Sequence, residues 1–132
     1  MALPVTALYA AVLALIMLVL SFATGGSRAK HKISLGDGGH PELLAAIRRH
    51  GNAVEYVPMA VILLGLLEAN GTGNSWLHGL GAALVVSRIA HPIGLSASRM
   101  VHPLRIIGTA GTSLVTVIAA GYALWQVKSV LF

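Results

Sequence analysis

The chain has 132 residues, of which 56% are hydrophobic and 10% are charged, whereas an average soluble domain is about 25% charged. This composition argues against a soluble globular protein, and the long runs of Ala, Val, Leu and Ile argue against a transmembrane β-barrel. The formal net charge is +5, but the Lys and Arg residues are scattered over several segments, which argues against a nucleic-acid partner. The chain contains no Cys, which excludes disulfides, thiolate metal sites and a cysteine nucleophile.

The first apolar run covers residues 4–24, which contain no charged side chain and are long enough to cross a bilayer as a helix. No Lys or Arg precedes Arg28, so the run lacks the basic start of a secretory signal peptide and is expected to be retained. A polar loop over residues 25–40 is predicted next, because the Gly and Asp residues at 36–39 favour turns.

Three further helices are predicted, over about residues 42–69, 76–95 and 101–127. Trp76 and Trp125 lie where interfacial anchors belong. Small residues at helix-packing spacing predict close contacts between helices. These pairs are Gly79 with Ala83 and Gly108 with Thr112.

We therefore predict an all-α fold, in which residues 1–132 form one integral membrane domain, a four-helix bundle. Lys and Arg set the orientation of such a protein, because they accumulate in cytoplasmic loops. The first predicted loop carries Arg28, Lys30 and Lys32, the third carries Arg99, and the second carries none. Both termini are therefore expected on the non-cytoplasmic side.

Ionisable residues inside the predicted helices point to function, because a charge near the centre of a transmembrane helix costs about 2.5–3.5 kcal/mol on insertion scales. Helical spacing places these residues on shared faces. They are Arg48, Asn52 and Glu55 on the second helix, Arg88 and His91 on the third, and Arg105 on the fourth.

In the predicted orientation the three arginines lie in the cytoplasmic half and can converge on one pocket. One alternative is purely structural: Glu55 pairs with Arg88 or Arg48 in an interhelical salt bridge that fixes packing. One Glu cannot neutralise three Arg, however, so the surplus positive charge favours an anionic small molecule. No metal site is predicted, because no second His or carboxylate completes a ligand motif with His91.

The sequence RRHGNAVEYVP at residues 48–58 has the form R-x-x-x-N-x-x-E-Y-x-P. It resembles the second-helix signature of the MAPEG family, the membrane-associated proteins of eicosanoid and glutathione metabolism, at every fixed position. The stretches SRIAHPIGL and HPLRIIGT are similar to that family's third-helix and third-loop patterns. The GDGG loop resembles the small bacterial inner-membrane branch of the family.

The resemblance implies a homotrimer in a bacterial inner membrane, with glutathione bound between subunits in the cytoplasmic half. Glutathione carries two carboxylates and one ammonium, so several Arg and one Glu are the expected complement. The residues on family positions that bind glutathione are Arg28, Arg48, Asn52, Glu55, Tyr56, Arg88 and His91.

Arg105 falls on the family position thought to assist the thiol. A thiol with a pKa of about 8.5 is mostly protonated at neutral pH, and an adjacent guanidinium raises the reactive thiolate fraction. The thiolate would attack a lipophilic electrophile that enters from the membrane lipid, forming a thioether or reducing a peroxide. The sequence departs from many active members at Leu95, where they carry a Tyr, and Thr109 supplies no aromatic hydroxyl either.

Three functions follow as hypotheses. The first is a membrane-bound glutathione transferase or peroxidase, and the second is a non-catalytic lipid- or anion-binding scaffold of the same fold. The third is a small ion or drug transporter, which the buried Glu55 favours. The sequence shows neither the inverted repeats nor the broken helices that are typical of transporters, and three Arg would repel a transported cation.

Overall fold

The computed structural model describes residues 2–98 and 101–131, so the predicted loop residue Arg99 lies outside the described residues. In this part of the chain four α-helices follow one another, which confirms the all-α prediction. The helices are α1 (Pro4–His31), α2 (Pro41–Ala69), α3 (Asn74–Gly94) and α4 (Pro103–Leu131). Three of them begin at proline, because the fixed φ of proline suits the first turn and its missing N–H leaves no bond unmade there.

The first helix is longer than predicted, since α1 continues past residue 24 to His31. The predicted loop start at residue 25 is therefore wrong. Arg28, Lys30 and His31 occupy the last turn, where basic side chains interact favourably with the helix dipole. Lys32, at φ 56°, then ends the helix in a left-handed conformation, and this geometry satisfies carbonyls of the last turn.

The helices pack in the order α1, α2, α4, α3 around the bundle, so α1 and α4 lie diagonally across it. Consecutive helices are antiparallel: Val5 at the start of α1 meets Glu68 at the end of α2, and Arg49 near the start of α2 meets Leu95 just after α3. We call the end where α1 and α3 finish and α2 and α4 begin the basic end. It carries Lys30, Arg48, Arg49, Arg88 and Arg105.

The bundle is apolar outside as well as inside. Leucines such as Leu13, Leu64 and Leu84 fill the core, while Phe22 and Val117 are 70% and 69% exposed. An outer surface of this kind is stable against lipid and unstable against water. The protein is accordingly an integral membrane protein.

Three described helices, α1, α2 and α4, are long and apolar enough to cross a membrane. By that measure α3 is not, so the prediction of four spanning helices is supported for three of them. Polar residues lower the hydropathy of α3, and three of them, Ser87, Arg88 and His91, are buried in the bundle. Trp76 and Trp125, both 66% exposed, lie at the end opposite the basic end, where aromatic anchors are expected.

A tertiary contact caps the start of α1, whose own N-cap residue makes no side-chain hydrogen bond. The two carboxylate oxygens of Glu68 accept hydrogen bonds from the backbone N–H groups of Val5 and Thr6, at 2.9 and 2.7 Å. The first N–H groups of a helix have no partner within the helix. Glu68 supplies that partner and places a negative charge at the positive end of the helix dipole.

We predict that Glu68→Gln lowers the melting temperature of the detergent-solubilised protein, because it removes this charge and one of the two accepting oxygens. Glu42→Gln is the matched control: Glu42 pairs with Lys30 at 3.3 Å but its side chain is 74% exposed, and such pairs add little stability. Thermal unfolding followed by circular dichroism checks both variants. Equal melting temperatures for the two would contradict a capping role for Glu68.

Candidate functional site

The guanidinium of Arg88 joins three helices at the basic end. Its Nη1 donates a hydrogen bond to Asn52 Oδ1 on α2 at 2.8 Å, and its Nη2 donates to the Gly108 carbonyl oxygen on α4 at 2.9 Å. The residue is only 3% exposed. Arg88 and Asn52 are therefore brought together as the sequence predicts.

Both acceptors of Arg88 are neutral groups, so they leave its charge uncompensated. The three ion pairs among the described residues do not include Arg88, and its Nε is buried without a hydrogen-bond partner. A buried charge is costly unless it is paired and fully hydrogen-bonded. The arrangement is suited to an anion that approaches this guanidinium.

Tyr56 stands beside the same group. The guanidinium carbon of Arg88 lies 5.9 Å from the centroid of the Tyr56 ring, within the range of a cation–π contact. Tyr56 is 42% exposed, so its ring forms part of the boundary between the buried arginine and the surroundings. This contact adds Tyr56 to the cluster that the sequence predicts.

Glu55 pairs with Arg48, whose Nη1 lies 3.4 Å from Glu55 Oε1. Both residues belong to α2 and their side chains are 55% and 50% exposed, so the pair cannot fix packing between helices. The interhelical salt bridge considered as a structural alternative is therefore wrong. Opposite charges lie side by side on an open face of α2, next to the turn that carries Asn52 and Tyr56.

His91 is 4% exposed and packs against Gly108 of α4. A Cβ atom added to Gly108 would lie 2.6 Å from His91 Cβ and 2.6 Å from His91 N, closer than real atoms approach. A Cβ on Gly94 would likewise overlap the backbone nitrogen of Arg105. The backbones of α3 and α4 thus touch at glycine, beside the residues that bear the site.

These contacts test the predicted small-residue pairs. Gly108 makes a close helix contact as predicted, and its carbonyl also accepts a hydrogen bond from Thr112 Oγ1 at 2.8 Å. The predicted pair of Gly79 and Ala83 makes no such close contact within the chain, because nothing lies within 4 Å of a Cβ at Gly79. Gly81 takes that part, since a Cβ there would overlap the ring of Tyr9.

Arg105 lies on the exposed side of α4, one turn before Gly108. With neighbours from residues 101–110 it lines an open groove of about 510 Å³. Every residue that lines this groove comes from α4 or the segment just before it, so the chain supplies only one wall. Thr109 also lines it, and its hydroxyl donates to the Arg105 carbonyl at 2.9 Å.

Arg28 is held elsewhere at the basic end. Its Nη1 donates to the carbonyl oxygens of Ser34 and Gly36, at 3.4 and 2.8 Å, and so ties the first loop to the end of α1. These bonds do not join Arg28 to the cluster around Arg88. Its role in binding stays a prediction.

Sequence reasoning missed Arg49, whose Nε and Nη2 both donate to the carbonyl oxygen of Leu95, at 2.8 and 2.5 Å. This forked contact holds the residue that directly follows α3, and hence the helix that bears Arg88 and His91. No local pattern in the sequence marks this partner. Arg49 is rotated by about 100° from Arg48 around α2, so the two arginines lie on different faces of the helix.

No three His, Asp or Glu side chains of the described residues group closely enough to hold a metal ion. The polar cluster instead consists of arginines, one carboxylate, one amide and one phenol. Groups of this kind can form charge-assisted hydrogen bonds with an organic anion.

A model of the MAPEG family matches residues 6–125. The chain belongs to the MAPEG family.

The chain is also 42% identical over 90 residues to "Inner membrane protein YecN" from Escherichia coli K12, a match that covers 68% of this chain and 69% of the relative. The YecN protein of Escherichia coli O6:H1 strain CFT073 gives the same values. The name locates these relatives in the inner membrane and assigns them no reaction. No solved structure matches the chain.

The close contact between His91 and Gly108 leads to a prediction about the stability of the fold. Gly108→Ala should destabilise the protein by about 1–3 kcal/mol, because the added methyl overpacks a backbone contact that cannot yield without separating α3 from α4. Gly121→Ala on the same helix is the control. Nothing lies within 4 Å of its Cβ position, so this change should be neutral or stabilise by up to about 1 kcal/mol.

Chemical or thermal unfolding in detergent measures both variants. Equal stability of the two variants would show that the helices can separate at no cost.

Proposed function

We propose that the protein is a membrane-bound, glutathione-dependent transferase or peroxidase that acts on lipophilic electrophiles. Family membership supports this class of function, and one observation in the molecule carries it. Arg88 is a buried cation with neutral hydrogen-bond partners and a buried Nε that lacks one. An anionic co-substrate supplies the negative charge that this site lacks.

The charges at the site match those of glutathione. Its two carboxylates suit the positive charges of Arg48 and Arg88, because charge-assisted hydrogen bonds between arginine and carboxylate are strong. Its ammonium suits Glu55, whose present partner Arg48 lies on an exposed face and can release it. Asn52 and Tyr56 offer neutral polar contacts, and His91 supports α3 from within the bundle.

The open side of the site supports assembly with further copies of the chain, and family membership favours a homotrimer. Arg48 and Glu55 lie on an exposed face of α2, and the groove beside Arg105 has only one wall. A pocket that excludes water needs a second wall, which a neighbouring copy supplies at least cost in a symmetric oligomer. Glutathione then lies between subunits.

Arg105 is the residue proposed to stabilise the thiolate of glutathione. In the transferase reaction the sulfur attacks an electrophilic carbon, the C–S bond forms, and a leaving group departs with its electron pair. In the peroxidase reaction the sulfur attacks a peroxide oxygen and the O–O bond breaks. This gives an alcohol and a glutathione sulfenic acid, which a second glutathione converts to the disulfide with loss of water.

We place the protein in a bacterial inner membrane, by analogy with the YecN proteins. The basic end faces the cytoplasm in this proposal, because Lys and Arg are concentrated there. Both termini then lie on the opposite side. This orientation also gives the site access to cytoplasmic glutathione.

The ultraviolet absorbance of the glutathione thiolate tests the proposal. We predict a saturable thiolate band when glutathione is added to the purified protein near neutral pH. Arg105→Ala should reduce this band about fivefold or more, because an adjacent opposite charge lowers a pKa by about 1 to 3. Binding measured by calorimetry should persist in this variant, since Arg48, Arg88 and Glu55 remain.

Lys32→Ala is the matched control, because it removes one exposed positive charge from the same end of the bundle. It should leave the band and the affinity unchanged. An unaltered band in Arg105→Ala would remove Arg105 from the mechanism. Absence of both band and binding in the unmodified protein would overturn the proposal.

A non-catalytic anion- or lipid-binding scaffold is the second candidate, and one observation favours it. Leu95 replaces the Tyr of many active members, and the hydroxyl of Thr109 is already donated to the Arg105 carbonyl. Neither residue can donate a hydrogen bond to a thiolate from its side chain as placed. This candidate predicts thermal stabilisation by glutathione without a thiolate band, in both the unmodified protein and Arg105→Ala.

A further inference from the structure

A groove runs along the outside of the bundle between α1 and α3, away from the cluster around Arg88. It consists of two adjoining cavities of about 410 and 330 Å³. Both are lined by Leu20, Pro92 and Ile93, so they form one continuous depression. We call this depression the α1–α3 groove.

The larger part of the groove is aliphatic. It is lined by α1 and α3 alone, through residues that include Val12, Ile16, Val19 and Ile89. These α1 residues belong to a helix that is apolar and long enough to cross a membrane. This part of the groove therefore suits a hydrocarbon chain.

The other part of the groove ends at a cation, since Arg49 lines the smaller cavity. Two of its nitrogens donate to the Leu95 carbonyl, which is neutral. The ion pairs of the described residues do not include Arg49, and its Nη1 makes no hydrogen bond within that part of the chain. The charge of Arg49 is thus available to an anion at the end of the groove.

We propose that the α1–α3 groove binds one anionic phospholipid, with an acyl chain between α1 and α3 and the headgroup phosphate at Arg49. The order of the lining, aliphatic first and cationic at the basic end, matches the order of chain and phosphate in such a lipid. Basic residues near a membrane surface attract anionic headgroups. Arg49 adds directed N–H donors to that attraction.

This lipid site is separate from the proposed glutathione site. Arg49 points toward α3 and the groove, whereas Arg48 points to the open face of α2 and pairs with Glu55. Failure of one proposal therefore leaves the other intact, because different arginines and different binding measurements test them.

Native mass spectrometry of the purified full-length protein tests the site, with phosphatidylglycerol and phosphatidylcholine of identical acyl chains in competition. We expect a preference for phosphatidylglycerol in the unmodified protein. Arg49→Gln should reduce this preference about fivefold, the effect of one basic residue at a membrane surface. Gln keeps a side-chain N–H donor at this position, and circular dichroism checks that the variant retains the helical fold.

Two further variants distinguish a specific effect of Arg49 from a general effect of positive charge at the basic end. Arg49→Lys keeps the charge and should keep most of the preference. Lys32→Gln removes an exposed charge from the same end and should leave the preference unchanged. An unaltered preference in Arg49→Gln, or an equal loss in Lys32→Gln, would overturn the site.

The aliphatic part is tested by filling it. Val19→Trp should lower the number of lipids retained with both headgroups, whereas Phe22→Trp on the same helix, outside the groove lining, should not. Equal retention in the two variants would contradict the placement of the acyl chain. Displacement of phosphatidylglycerol by equimolar oleate would instead identify a free fatty acid as the occupant.

A second copy of the chain is the remaining occupant to test. The protein contains no Cys, so Val19→Cys introduces a unique thiol in the groove. We expect this thiol to react with a maleimide carried on a lipid and to form no crosslink between copies with a bismaleimide. A crosslinked dimer would identify this face as a protein interface and overturn the lipid site.

Discussion

The packing of the basic end depends on the buried guanidinium of Arg88. This one side chain of α3 forms hydrogen bonds with Asn52 on α2 and with the Gly108 carbonyl on α4. Removing a cation from water costs several kcal/mol even after relaxation. The bundle offsets part of that cost with neutral acceptors rather than with a carboxylate. It therefore keeps three helices in register and leaves a positive charge that can act on an anion.

The register of α3 depends on backbone contacts as much as on Arg88. Gly94 and Gly108 allow α3 and α4 to touch where any side chain would collide, and packed interiors tolerate such collisions poorly. From the other side, Arg49 holds the carbonyl of Leu95 at the end of α3. The helix that carries Arg88 and His91 is thus fixed from two directions, by glycine contacts and by a forked hydrogen bond.

Two neighbouring arginines divide the basic end into two surfaces. A single helical step of about 100° directs Arg48 to the open face of α2 and Arg49 to the groove between α1 and α3. The first surface carries Glu55 and Tyr56 and suits a small zwitterionic peptide. The second is aliphatic except for its cation and suits an amphiphile. The two surfaces share no arginine, so the two proposed ligands would not compete for the same cation.

The sequence alone predicts the helical class, the four helices, the family motif at residues 48–58, and the collection of arginines at one end. Each of these depends on local composition, helical spacing or chain direction. The length of α1 was underestimated, because glycines at 25 and 26 signal a loop while the basic last turn and the left-handed Lys32 continue and cap the helix. Tertiary packing sets the contacts that the sequence does not predict: Glu55 pairs with Arg48, Arg28 holds the first loop, Arg49 holds α3, and Gly81 rather than Gly79 makes a close contact. Partner choice of this kind depends on the rotation and separation of packed helices, which the packing of the whole bundle sets and no local pattern encodes.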